Sequence, residues 1–130
     1  MTPIGARILI VDDDVEVQHV LKRAADAAGY ELVQAFDGSS GLTLATESKF
    51  DLIVLDIEMP KLDGRDVLTR LKQNPNTATV PVLVYSGRDQ PTDRRVVYEL
   101  GADDHIDKPF SAGRLMSKIG FMIEKARTES

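Results

Sequence analysis

Two short runs of uninterrupted apolar residues, Ile8-Leu9-Ile10-Val11 and Leu52-Ile53-Val54-Leu55, each end directly on an aspartate, Asp12 and Asp56. A strand with one solvated face alternates apolar and polar side chains. A run that is apolar at consecutive positions instead belongs to a strand covered on both faces, the habit of parallel sheets. Runs rich in β-branched residues predict five strands in all, at Arg7 to Val11, Glu31 to Ala35, Asp51 to Leu55, Val80 to Tyr85 and His105 to Ile106.

The stretches between them carry helical spacing. Val15, Leu21, Ala24, Ala25 and Ala28 form an apolar stripe preceded by acids and closed by Gly29, which predicts a helix ending on a C′ glycine. Similar patterns place helices at about Ser39 to Glu47, Gly64 to Gln73, Thr92 to Leu100 and Ala112 to Ala126, with Gly101 as a second C′ residue. The order is (βα)5. Right-handed crossovers then require a three-layer α/β sandwich, its parallel sheet covered by helices on both faces.

With 130 residues the chain holds one domain, with a core expected over about residues 7–126. A hydrophobic share of 42% with 28% charged residues fits a globular protein. Sixteen basic against 21 acidic residues give a formal charge of -5. No Lys/Arg cluster is dense enough to neutralise a run of phosphates, so no direct nucleic-acid partner is expected. The absence of Cys excludes thiol chemistry and Cys-ligated zinc. No apolar run approaches the roughly 20 residues that span a bilayer, nor does the N-terminus resemble a signal peptide. Cytoplasmic residence without membrane contact is the expectation.

Chemistry gathers after the strands. Asp12, Asp13 and Asp14 follow the first, Asp56 the third, Ser86 the fourth, and Asp107-Lys108-Pro109 the fifth. In an open parallel sheet these C-terminal strand ends share one edge, where ligand crevices form. Carboxylates converging without His or Cys make an all-oxygen site suited to Mg²⁺. An ammonium and a hydroxyl nearby can hold phosphoryl oxygens while one carboxylate acts as nucleophile and forms an acyl phosphate. Each piece alone has an ordinary reading. An acidic run is often an N-cap, Ser-Gly a turn and a lone lysine surface, and only their common edge favours a site.

These residues resemble the receiver domains of response regulators. The resemblance rests on Ile8 to Asp14, on Asp51 to Gly64 with its Leu-Asp-Ile-Glu-Met-Pro-Lys-Leu-Asp-Gly core, on Pro81 to Gly87, and on Gly101 to Phe110. It implies a flavodoxin-like strand order of 2-1-3-4-5. It also implies phosphoryl transfer to Asp56 from a sensor histidine kinase or histidine phosphotransfer protein, with Mg²⁺, or Mn²⁺ in its place, as cofactor. Asp13 and Asp56 match direct metal ligands, Asp12 the acid that holds metal-bound water, and Glu58 the residue lending its backbone carbonyl. Ser86 matches the switch hydroxyl, Lys108 the lysine that pairs with the phosphoryl group, and Pro109 a proline preceded by a cis peptide bond. The downstream contact implied is a protein partner on the face of the fourth helix, fifth strand and fifth helix. Beyond Mg²⁺-dependent self-phosphorylation and slow autodephosphorylation, no enzyme activity is implied.

Several positions depart from the common pattern. His105 stands where Tyr or Phe is usual, either filling the same space or biasing the switch by its charge state. Glu58 and Arg88 sit where the family tunes phosphoryl lifetime, and their opposite charges suggest a pair across the pocket mouth, against the plainer reading of two solvated side chains. Asp103 and Asp104 with Arg94 and Arg95 suggest a homodimer through the same helical face. Met116, Ile119, Phe121, Met122 and Ile123 exceed one buried stripe and suggest that part of the last helix meets a partner. Two alternatives stay open. One is a haloacid-dehalogenase-like phosphatase using Asp12 as nucleophile, though Glu16 stands where that family has Thr or Val. The other is a receiver-shaped binding module that is never phosphorylated. No output domain is expected within the chain.

Overall fold

The computed structural model describes residues 4–59, 64–86, 94–107 and 110–129. Strands β1 (Arg7–Val11), β2 (Glu31–Ala35), β3 (Leu52–Asp56), β4 (Val82–Ser86) and β5 (Asp104–Asp107) alternate with helices α1 (Val15–Ala28), α2 (Gly38–Glu47), α3 (Gly64–Gln73), α4 (Arg94–Glu99) and α5 (Ala112–Glu129). The sheet is parallel throughout, in the order β2-β1-β3-β4-β5, so the (βα)5 sandwich and the 2-1-3-4-5 order stand as expected.

Because alternate strand residues face opposite ways, the sheet divides two cores. Ile8, Ile10, Leu52, Val54, Leu83, Tyr85 and Ile106 meet Leu21 and Ala25 of α1 and Leu115, Ile119 and Ile123 of α5. Leu9, Val11, Ile53, Leu55, Val82 and Val84 meet Val67, Leu68 and Leu71 of α3 and Val97 of α4. Both faces are fully covered, which is what the uninterrupted apolar runs require.

Two strands end later than their apolar runs. The ladder continues through Ile57, whose N–H donates to the Tyr85 carbonyl at 3.0 Å, so Asp56 is the last residue of β3. Ser86 likewise closes β4. Their starts are also later than predicted. The Asp51 carboxylate accepts from the Arg7 N–H at 2.8 Å, and the Val80 N–H turns back to the Thr77 carbonyl at 3.1 Å. Gly29 and Gly101 have φ of 85° and 109°, the left-handed geometry expected of C′ residues.

Two helix stripes differ from expectation. Val15 is 67% exposed and lies off the buried face of α1, where Gln18 takes the inward position with Leu21 and Ala25. The predicted surplus of apolar residues on α5 shrinks to one: Met116, Ile119, Met122 and Ile123 are all buried, and only Phe121 is exposed. The sheet is wide enough to bury the whole stripe, so the expected partner face is not built from these four residues. No helix among the described residues is long and apolar enough to cross a membrane.

Candidate phosphorylation site

The run Asp12 to Asp14 divides its labour. Asp14 caps α1, its carboxylate accepting from the N–H groups of Glu16 at 3.0 Å and Val17 at 3.2 Å. Asp12 and Asp13 instead join Asp56, and the three can place carboxylate oxygens within 4.8 Å of one another. Asp12 is fully buried and Asp56 nearly so, whereas Asp13 is exposed. Like charges this close and this dry repel unless a cation or donors offset them. The donor set is oxygen only, with neither His nor Cys among the three residues. That chemistry fits Mg²⁺ or Mn²⁺ and not zinc.

The protein supplies donors to each buried acid. The Asp14 N–H donates to Asp12 Oδ1 at 2.9 Å, and the Tyr85 hydroxyl donates to Asp12 Oδ2. Burial, followed by the Asp12 charge, raises the Tyr85 phenol far above its ordinary value, so it remains a donor. On the next strand, the Glu58 N–H donates to Asp56 Oδ1 at 2.9 Å. Gly64 closes the loop that follows Asp56, with its N–H on the Ile57 carbonyl at 3.1 Å. A β-carbon there would lie 2.5 Å from Ile57 Cα and 2.6 Å from the Asp56 carbonyl oxygen.

Gln18 holds this sheet edge from below. Its side-chain Nε2 reaches the carbonyls of Ile10 at 3.3 Å, Asp12 at 3.1 Å and Ala35 at 2.8 Å, tying α1 to the ends of β1 and β2. Gln34 Nε2 in turn donates to the Gln18 side-chain oxygen at 3.0 Å. Neither Gln18 nor Tyr85 stands out in the sequence as a site residue. The signals that could reveal them are a glutamine at an inward position of the α1 stripe and a polar-tipped aromatic closing an otherwise apolar strand.

Ser86 and His105 lie together on the α4 side of the sheet. Ser86 Oγ is 3.1 Å from His105 Nε2, and both side chains are buried. The ring therefore already occupies the interior, in contact with the Ser86 hydroxyl. Among the described residues His105 Nδ1 has no hydrogen-bond partner, and its nearest carboxylate oxygen is Asp107 Oδ1 at 3.5 Å. Burial lowers the imidazole pKa from its ordinary value. Asp107 and Asp104 oppose that shift while Arg94 and Lys118 add to it, and the net effect is a lowered pKa.

The charges expected to support self-association are engaged within the chain. Asp103 accepts from Lys72 Nζ at 3.0 Å and from the Val82 N–H at 2.8 Å, Asp104 pairs with Lys118 at 3.0 Å, and Arg94 pairs with Asp107. Burial pushes the Asp104 carboxyl up. The His105 N–H, Lys118 and Tyr98 outweigh that push and hold it below its ordinary value. Arg88, Lys108 and Pro109 lie outside the described residues, as do the Glu58–Arg88 pair and the peptide bond before Pro109. The phosphatase alternative is disfavoured by the hydrogen bonding of Asp12. Both its oxygens already accept from the protein, a poor state for a nucleophile.

Comparison with known proteins agrees with this arrangement. The family model of the response regulator receiver domain matches residues 8–120. The chain is 42% identical over 119 residues to the transcriptional regulatory protein PrrA of Mycobacterium tuberculosis, covering 92% of this chain and 50% of that protein. It is 35% identical over 123 residues to the alkaline phosphatase synthesis transcriptional regulatory protein PhoP of Bacillus subtilis, covering 95% and 50%. The chain thus spans about half the length of the curated relatives it matches. Among solved structures, a CheY-like response regulator receiver domain protein from Methanospirillum hungatei superposes with a TM-score of 0.89 at 26% identity, covering 97% of this chain and 99% of that one. A response regulator receiver domain protein from Clostridium thermocellum gives 0.86 at 27%, covering 96% and 99%.

Proposed function

Since the chain belongs to the receiver domains of response regulators, the phosphoacceptor modules of two-component signalling, we propose that Asp56 is its acceptor and that the pocket around it works as follows. An Asp56 carboxylate oxygen attacks the phosphorus of a phosphohistidine on a sensor kinase or phosphotransfer protein. A P–O bond forms as the P–N bond breaks, and the departing imidazole takes a proton. Hydrolysis later returns the carboxylate and inorganic phosphate. The carrying observation is the convergence of Asp12, Asp13 and Asp56 within 4.8 Å.

Mg²⁺ would be held by the Asp13 and Asp56 carboxylates and the Glu58 carbonyl, with Asp12 holding metal-bound water, and would supply charge neutralisation. The Glu58 N–H on Asp56 Oδ1 holds the acceptor carboxylate in one orientation, which supports a fixed direction of attack. Lys108 is the counter-charge for the phosphoryl oxygens, on the strength of the resemblance. Ser86 moves from His105 to the phosphoryl group, and the resulting change at β5 reaches protein partners through α4, β5 and α5. Glu58 and Arg88 tune the lifetime of the acyl phosphate. A homodimer through the α4-β5-α5 face, and action through proteins without direct nucleic-acid contact, are the outputs this module favours.

Incubation with acetyl phosphate and Mg²⁺ tests the assignment. The wild type is expected to gain one hydroxylamine-labile phosphoryl group and Asp56→Asn to gain none. Label retained in Asp56→Asn but lost in Asp12→Asn would overturn it.

A further inference from the structure

Asp12, the acid matched to metal-bound water, has no exposed surface and is gripped from two sides. One grip is local, the Asp14 N–H on Oδ1, and arises wherever a chain turns from strand to helix. The other comes from across the sheet. Tyr85 lies on β4, separated from β1 by β3, and its hydroxyl reaches Asp12 Oδ2. Alternation explains the reach. Tyr85 shares the α1/α5 face with Ile8 and Ile10, so its ring runs beneath the end of β3 toward Asp12, while Ser86 points to the opposite face.

The ring itself is fixed. Tyr85 is fully buried and tilts against Phe110, with ring centroids 5.2 Å apart and planes at 52°. A phenol pinned this way has little freedom to turn its hydroxyl elsewhere. Two fixed donors on different oxygens define the plane of the carboxylate beside Asp13 and Asp56, whose ligand atoms lie within 4.8 Å of its own.

We propose that Tyr85 is a positioning residue for divalent-metal binding, its hydroxyl orienting the Asp12 carboxylate toward the shared site. The inference rests on the metal-dependent phosphoacceptor reading above. Outer hydrogen bonds to ligand groups typically contribute 10–100-fold to metal affinity, because they fix the ligand before the ion arrives. A competing effect acts in the other direction, since a donor also withdraws charge from the carboxylate. With Asp12 buried and held by a donor on each oxygen, orientation outweighs that withdrawal.

The test is Tyr85→Phe in the full chain, which keeps the ring and its contact with Phe110 and removes one oxygen. Mg²⁺ affinity of the metal-free protein is measured by calorimetry and checked with Mn²⁺ by electron paramagnetic resonance. Asp13→Asn serves as a loss control and Tyr98→Phe, on α4, as a remote tyrosine control. The expected result is a dissociation constant raised about 10–100-fold in Tyr85→Phe and unchanged in Tyr98→Phe. The half-saturating Mg²⁺ for acetyl phosphate labelling should rise by the same factor, with the maximal rate restored at saturating Mg²⁺. Affinity unchanged within about twofold or tighter overturns the proposal. So does a maximal rate that excess Mg²⁺ fails to restore, because the hydroxyl would then act on the chemistry or the fold. Wild-type protein that binds no Mg²⁺ would remove the parent reading as well, which separates the two failures.

Discussion

His105 touches the Ser86 hydroxyl, and it does so through a hydrogen bond rather than by simple packing. Under the proposed switch, recruitment of Ser86 strands a second buried nitrogen on a ring whose Nδ1 already lacks a hydrogen bond among the described residues. Such a group costs about 1–3 kcal/mol unless the ring moves or takes a proton. The depressed imidazole pKa has its own consequence. As pH falls, the unfolded chain takes the proton first, so stability is complete above about pH 6.5 and declines as pH drops through that value toward the folded pKa. Urea midpoints at about pH 7.5 and about pH 5, on either side of that value, should show the wild type losing more stability than His105→Phe. Equal losses would mean that the ring is not held neutral.

At the scale of elements, the turn from β3 into α3 is set by Gly64, whose missing β-carbon lets the helix start against the backbone of Asp56 and Ile57. Backbone cannot rotate away as a side chain can. Gly64→Ala should thus cost about 1–3 kcal/mol in denaturant unfolding and slow Asp56 labelling by displacing the loop. A loss below about 0.5 kcal/mol would show that the turn yields. The five strands and five helices were legible because each carries its own period: continuous apolar runs for a doubly covered sheet, a stripe for each helix. The acids were legible because they follow those runs directly. Contacts that depend on register were not. Tyr85 and Asp12 are separated by 73 positions, and only the β1-β3-β4 order with matching strand parity joins them. Gln18 was hidden differently, as a polar residue where a stripe reading looks for apolar ones, and Val15 was misplaced for the converse reason.

Across the whole molecule, the three-carboxylate cluster adds local repulsion to a chain that already carries a formal charge of -5. A ligand that binds only the folded state stabilises it in proportion to the logarithm of its concentration. Mg²⁺ at about a hundred times its dissociation constant should therefore raise wild-type stability by about 2.7 kcal/mol, and chelation should remove that gain. Asp13→Asn should show no gain, and in chelator it should equal or exceed the wild type because one repelling charge is gone. A Mg²⁺-independent melting temperature for the wild type would contradict this. The sheet also has two open borders, β2 and β5, of five and four residues. Glu31 stands at the start of one, and Asp104 and Asp107 bracket the other. Short margins carrying buried-strand partners on one side and acids at their ends make poor templates for a foreign strand. The sheet's borders are therefore guarded against fibrous polymerisation through the backbone, whatever surface the helices offer to other proteins.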